Sequence, residues 1–400
     1  MAALITIYGC SERKLVKQTP QMDADSRFWV RVLLLDDVRE CTLMAETSLN
    51  LTDFATGASQ AEFQNSDMPL SVTISSGKIA INGCSFPTKK LIITPQSPHI
   101  FNLNGQDYRG KLSLILNADG ESLDAVNMVP LEPYLAGVVG SEMPYYWEPE
   151  ALKVQAIAAR TYCLYTKRRF GKNRHWDVTK TAANQVYGGV GAESAKIWKA
   201  VNKTWSLVLA SKRTDSIFPA YYSSICGGHT EDSQNVFGES FDSLGGVLCP
   251  YCKQVAKPRF FFWPMVKFDK TKVTQKLLQK YPALKELGEI KNIIPARKSD
   301  YGEFSRLTML KLLGSAGKTE FLRAEDLRLT IDPTGRLIKS AICQIVDMTN
   351  KWAFVSGRGF GHGVGMCQCG AQAMARNGKT ARQILFYYYP DSKIINIYKN

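Results

Sequence analysis

VPLEPYLAGVVGSEMPYYWEPEALKVQAIAARTYCLYTKRR, residues Val129–Arg169, is the stretch on which the reading of this chain turns. It sets one carboxylate, Glu142, in a loop just ahead of a helix that carries aligned basic residues. Glu148 and Glu150 suit the positive end of a helix, Pro149 suits its first turn, and Ala151–Tyr165 is a run of good helix formers. Lys153, Ile157 and Arg160 follow at i, i+4 and i+7, so both cations rise from one stripe. A polyanionic or carboxylate-bearing ligand fits such a stripe. A solvated helix face, with Glu142 as an ordinary loop acid, fits the same spacing, which does not separate the two.

Two further constellations lie downstream. Gly357–Gly365 (GRGFGHGVG) has five glycines in nine residues, so its backbone is free to take positive φ and approach a ligand closely. His362 sits in its middle and Arg358 four residues before, and His362 reads as a group that orients Glu142 or substrate. A dinucleotide-binding reading fails, because no acidic residue stands about 20 positions on and no βαβ unit surrounds the loop. The second constellation is Cys226-Gly-Gly-His229, nineteen residues, then Cys249-Pro-Tyr-Cys252. Paired ligands two residues apart on tight turns suit a structural zinc site of three Cys and one His. A Cys249–Cys252 disulfide or chance spacing is the competing reading. Cys367 and Cys369 form a C-x-C beside the glycine loop and read as inert thiols, a redox pair or an added metal site.

Three segments, LEPYLAGVVGSEMP, EALKVQAIAARTY and GRGFGHGVGMCQCGAQAMARNG, resemble in order the signature segments of the SpoIID/LytB family, bacterial lytic transglycosylases and amidase-enhancer-like proteins acting on cell-wall glycan. The resemblance covers Ser26–Ile395 loosely, and Tyr108–Tyr187 with Phe354–Pro390 tightly. It implies an α+β fold: a SpoIID-like catalytic core with a β-rich N-terminal domain and an inserted subdomain. It implies that Glu142 is the catalytic acid and base, that Lys153 and Arg160 contact substrate, and that Tyr388 of the Y-Y-P run lies near substrate. The family usually has Ser and an aromatic residue where this chain has Cys367 and Cys369, and many relatives have His where it has Ser223. Some relatives hold zinc near the same S-G-G-x-T segment.

Most glycosidases need two carboxylates. A lytic transglycosylase manages with one, which protonates the glycosidic oxygen between N-acetylmuramic acid and N-acetylglucosamine, then takes the proton of the sugar's own C6 hydroxyl as a 1,6-anhydro ring closes. Glu142 must then begin protonated near neutral pH, with Met143, Tyr145, Tyr146 and Trp147 supplying apolar surface. The same aromatic residues are equally suited to stacking on sugar rings or to stapling the helix start. Tyr222, Arg358 and His362 complete the expected substrate contacts, and no cofactor is needed for the chemistry.

Four hundred residues, 45% of them hydrophobic, suffice for two or three domains. The expected division is a tail over 1–25, a β-rich domain over 26–106, the first part of the core with its zinc loop over 107–257, an inserted subdomain over 258–345, and the second part of the core over 346–400. Alternation over Phe28–Asp37, Thr42–Asn50 and Leu70–Gly83 predicts the N-terminal strands. Lys111–Ala118 and Ser122–Met128 predict strands leading to the helix, and Lys267–Glu289 a helix broken at Pro282. Gly370–Asn377 and Thr380–Tyr389 predict closing helices. The net charge of +14 favours an anionic partner. Its scatter and the lack of a nucleic-acid motif point to glycan strands, with or without stem peptides, and not to nucleic acid. A cell-wall amidase is the expected protein partner and the cell envelope or periplasm the expected location. No segment reaches the roughly 20 apolar residues of a membrane span, while Gly9-Cys10 resembles a lipoprotein cleavage point, for anchoring through Cys10. Cys41, Cys84, Cys163 and Cys343 read as buried thiols.

Overall fold

The computed structural model describes residues 28–64 and 68–398, and the proposed anchor at Cys10 lies outside them. The protein is α+β. It forms two compact units, one from the chain up to Tyr145 together with Phe170–Lys199, the other from Tyr146–Arg169 together with the chain from Ala200 onward.

The first unit is built on two sheets. One runs, strand beside strand, Val178–Thr179, Trp29–Val38, Leu123–Pro130, Lys111–Leu116, Lys90–Pro95, Leu49–Asp53 and Ser59–Phe63. The other runs Gln106–Arg109, Ile100–Leu103, Glu40–Met44, Leu70–Ser75, Lys78–Ile81 and Cys84–Phe86. Alternation fills the interior with Val30, Val32, Leu49, Leu51, Leu91, Ile93, Leu112 and Leu114. The expected strand Leu70–Gly83 is a hairpin turned at Ser76-Gly77, and Asn82-Gly83 and Asn104-Gly105 turn two more. All six of these residues have positive φ, the conformation that a two-residue hairpin loop matched to strand twist requires. Thr42–Asn50 divides between two strands in different sheets, and Cys84 is exposed, contrary to its expected burial.

Helix α1, Leu131–Glu142, follows the strand Leu123–Pro130 without a loop. Glu142 is therefore the last helical residue and not a loop residue. Pro133, Gly137 and Gly140 hide this helix from a propensity reading. Its residues from Leu131 to Val139 are all buried, so it shows no polar face either.

Helix α2, Pro149–Phe170, longer than expected, opens the second unit. There Leu207–Ser211 pairs with Ser392–Asn396, and Tyr222–Ser223 pairs in parallel with Met366–Cys367. Two three-stranded sheets follow. One is Val266–Asp269, Lys351–Val355 and Gln344–Asp347; the other is Ile290–Asp300, Ser305–Gly314 and Thr319–Arg323. Between Trp263 and Phe354 they share a core with Leu277, Leu287, Leu310, Leu327 and Trp352. Lys267–Glu289 is a helix over Lys270–Lys280, then a 3-10 turn from Pro282. The closing helices are Gln368–Arg376 and Ala381–Tyr388, the latter started by a Thr380/Gln383 capping box. Among the described residues no helix is long and apolar enough to cross a membrane.

Candidate functional site

Glu142 ends α1 half-buried, and its Oε1 accepts the Val186 amide at 2.9 Å. Met143 beside it is buried, whereas Tyr145 is more than half exposed. The helix reaches this point through close backbone packing. A side chain at Gly137 would meet the Tyr187 ring at 2.5 Å, and one at Gly140 the Ala192 carbonyl oxygen at 1.9 Å.

The expected cationic stripe on α2 is not one. Lys153 is partly exposed and bonds Glu150 at 2.5 Å, while the other Glu150 oxygen accepts the Ala381 amide at the start of the last helix. Arg160 is fully buried and donates to the Leu207 carbonyl at 3.0 Å. Ile157 is buried, and a stripe that contains it faces the core. Arg160 and Thr161, whose hydroxyl accepts the Leu209 amide at 2.9 Å, stitch α2 to the strand Leu207–Ser211. Arg160 thus has no surface to offer a ligand.

The glycine loop packs against its own chain. Gly359, Gly361, Gly363 and Gly365 all have positive φ. A Cβ at Gly365 would lie 2.1 Å from the Tyr221 carbonyl oxygen, and one at Gly363 2.4 Å from the Arg306 guanidinium. The amides of Arg358, Gly359, Phe360, Gly361 and Met366 donate to the carbonyls of Ile342, Phe261, Ile225, Lys339 and Tyr221. These five amides are taken up within the fold and not offered to a ligand.

His362 is held the same way. Its Nδ1 accepts the Val364 amide at 3.0 Å, the Tyr222 backbone bonds the ring, and the ring lies edge-on to Tyr221 near Phe237. Burial pushes its pKa down to about 4, with Arg328 and Arg306 working in the same direction against Glu325. The imidazole is neutral at pH 7. Arg358 donates to the Gly227 carbonyl and lies 4.1 Å over the Phe304 ring, so it braces the Cys226–Gly228 turn. Half-buried Tyr222 occupies the short parallel pairing with Met366.

The strand pairing also corrects the metal set. Sγ atoms of Cys226, Cys249, Cys252 and Cys367 all lie within 4.8 Å of one another, and all four residues are buried. His229 stands outside this group: Nδ1 faces the Thr230 carbonyl at 2.6 Å, and the ring stacks on Tyr301 at 4.1 Å. Ser223 and Cys367 are partners in the parallel ladder, which sets Cys367 beside Cys226 across 141 residues of sequence. The Cys226 amide donates to Cys367 Sγ at 3.2 Å. Burial pushes the Cys226 and Cys367 thiols up, while hydrogen bonds from Cys226 and Cys252 draw Cys249 well below its usual range. Four soft donors, buried together within 4.8 Å of one another, fit a tetrahedral divalent metal. Tyr388, expected near substrate, is buried with its hydroxyl 3.1 Å from Cys249 Sγ. Cys367 was legible only as half of a C-x-C; no local spacing links it to Cys226.

The sequence carries its own record of kinship. A family model described as Stage II sporulation protein, SpoIID, matches residues 119–210. An uncharacterized protein of Brachyspira hyodysenteriae is 34% identical over 296 residues, 74% of each chain. The amidase enhancer of Bacillus subtilis is 28% identical over 362 residues, which cover 80% of this chain but only 49% of that protein. Stage II sporulation protein D of Bacillus subtilis is 30% identical over 287 residues, 68% of this chain and 76% of its own length. With that identity sustained over so much of both sequences, the chain belongs to the SpoIID family.

Proposed function

We propose that this protein is a peptidoglycan lytic transglycosylase of the cell envelope in which Glu142 acts first as acid and then as base. The observation that carries this reading is a half-exposed carboxyl at the end of a rigid buried helix, one oxygen fixed by the Val186 amide. In the first step the Glu142 proton passes to the glycosidic oxygen as the bond from the muramic acid C1 breaks, and N-acetylglucosamine leaves as an alcohol. In the second the carboxylate takes the C6 hydroxyl proton while O6 bonds to C1. Glu142 is then again protonated, and no water is consumed. General acid and base catalysis of this kind contributes roughly 10²–10⁴-fold.

Lys153, partly exposed beside Glu150, is the cation offered to muramic carboxylates or stem-peptide acids. Arg160, Arg358, His362 and Tyr388 act by holding α2, the glycine loop and the cysteine cluster in place, and Tyr222 reaches substrate through its half-exposed face. Cys226, Cys249, Cys252 and Cys367 would hold zinc. A tetrathiolate zinc has no open position and supplies cross-linking, not chemistry.

A second reading is favoured by the match of 80% of this chain to an amidase enhancer: a wall-binding protein that stimulates an amidase without cutting glycan. Mass spectrometry of glycan strands, with and without stem peptides, after digestion by wild type and by Glu142→Gln separates the two. Anhydro-ended fragments from wild type alone support the transglycosylase. Reducing ends would make it a hydrolase, and binding without cleavage would leave the enhancer.

A further inference from the structure

We infer that the segment Gln185–Gly188 is a positioning device for the Glu142 carboxyl, with Gln185 and Tyr134 as its positioning residues. This rests on the reading of Glu142 as the acid. All of its parts lie in one compact unit.

Val186 is the residue whose amide reaches Glu142, and it is itself 38% exposed. Its neighbours on both sides are buried and bonded to fixed structure. Gln185 is fully buried, and its Oε1 accepts the Tyr134 hydroxyl at 3.1 Å. Tyr134 lies two helical turns before Glu142 on α1, so the helix that carries the carboxyl also holds the segment that orients it. Tyr187 donates from its hydroxyl to Asn127 Oδ1 at 3.0 Å, and its ring packs 5.0 Å from that of Tyr134. Asn127 in turn donates to the Arg109 and Lys111 carbonyls within the sheet. The Gly188 amide donates to the Gly137 carbonyl, and a side chain at Gly188 would strike the Ser141 hydroxyl at 2.5 Å. Helix, segment and sheet are thus locked at Gln185, Tyr187 and Gly188, on either side of the Val186 amide.

The chemical consequence concerns the two oxygens of Glu142. A neutral carboxyl has one O–H donor, and its other oxygen only accepts. An N–H directed at Oε1 makes Oε1 the accepting oxygen and leaves the proton to Oε2. Oε2 is therefore the atom that gives the proton to the leaving oxygen and later takes it back from the C6 hydroxyl. Such preorganisation acts on the rate and not on affinity, and a misplacement near 1 Å costs on the order of 100-fold.

The test uses the full-length protein with Tyr134→Phe, Gln185→Leu and an amide-to-ester replacement at Val186, and Glu142→Gln as reference. Stripped glycan is the substrate, and thermal unfolding verifies that each variant is folded. Expected is a fall in kcat of about 10- to 100-fold for the ester and Gln185→Leu, less for Tyr134→Phe, with KM within about twofold. In valine-labelled protein the Val186 amide resonance should follow the titration of Glu142 and lose that response in Glu142→Gln and in Gln185→Leu. Folded variants with wild-type kcat, or a Val186 resonance indifferent to Glu142→Gln, would overturn the positioning role. Wild-type cleavage by Glu142→Gln would instead overturn the acid itself, and the catalytic meaning of the segment with it.

Discussion

Two stretches of this protein use glycine alike, for close backbone approach, and do different work. In α1, Gly137 and Gly140 let the helix press against Tyr187 and Ala192, and the chain emerges with a half-buried carboxyl whose Oε1 accepts the Val186 amide. In Gly357–Gly365, alternate glycines let the loop press against Tyr221, Ser223 and Arg306, and its amides and the His362 ring are taken up by the protein's own backbone. The difference teaches that glycine in a motif signals a close approach without saying what approaches. A ligand is one answer, and the neighbouring strand is another.

The sharpest way to break this comparison is to remove the chemistry from each stretch in turn. Glu142→Gln should lower formation of anhydro-ended product by roughly 10²–10⁴-fold with unfolding unchanged. His362→Asn, whose amide can still accept from Val364, should retain kcat within about threefold. Equal losses in product analysis would place His362 with Glu142 and erase the distinction.

The cysteine cluster gives the next largest effect. Cys367→Ser should reduce bound zinc, measured by elemental analysis, to background, and lower the melting temperature by about 10 °C, since a structural metal contributes several kcal/mol. His229→Ala should keep the metal, because its ring lies on Tyr301 and outside the four sulfurs. A chelator should reproduce the Cys367→Ser result. Loss of zinc in His229→Ala would restore the ligand set that spacing suggests.

Smaller still are the glycines. Gly365→Ala forces a Cβ onto the Tyr221 carbonyl at a φ of +69°, which should cost about 3 kcal/mol in denaturant unfolding. Gly140→Ala meets the Ala192 carbonyl at 1.9 Å and should cost a similar amount. It should also lower kcat beyond the fraction unfolded, since it displaces the turn that ends in Glu142. If both variants lose activity only in step with stability, the two stretches are mechanically equivalent.

Much of this was legible in the chain. Alternating apolar residues and the Ser-Gly and Asn-Gly pairs carry the N-terminal sheets, because strand period and hairpin turns are local signals. Glu142 was singled out by its motif, but the helix that it ends was not foreseen. Pro133, Gly137 and Gly140 lower the helical propensity of α1, and burial on all sides removes the amphipathic pattern. Arg160 read as a ligand contact because a cation at helical spacing looks solvated. Its burial depends on the Leu207 carbonyl, 47 residues away in the chain. Cys367 depended on a parallel strand pair that no sequence window contains. For Arg160 and Cys367 a long-range contact overrode a sound local inference, whereas the Ser76-Gly77 turn inside the expected strand Leu70–Gly83 was a local signal.

The smallest effect is also the cleanest test of what His362 does. Its pKa in the fold is about 4, against an ordinary value near 6.5 in the unfolded chain. Between those values the unfolded chain binds the proton and the folded protein does not, so stability rises with pH through the window and is lost on acidification from about 6.5 toward 4. Glu325 opposes this shift, while Arg328, Arg306 and burial favour it. Discounted because His362 as a residue is only half-buried, the loss is about 2 kcal/mol. Wild type should therefore lose about that much more stability than His362→Asn between pH 7 and pH 4, by denaturant unfolding at each pH. A structural histidine shows its titration in stability. If the same titration appeared in kcat with stability flat, the imidazole would be exchanging its proton with the reaction, and its role would be chemical and not structural.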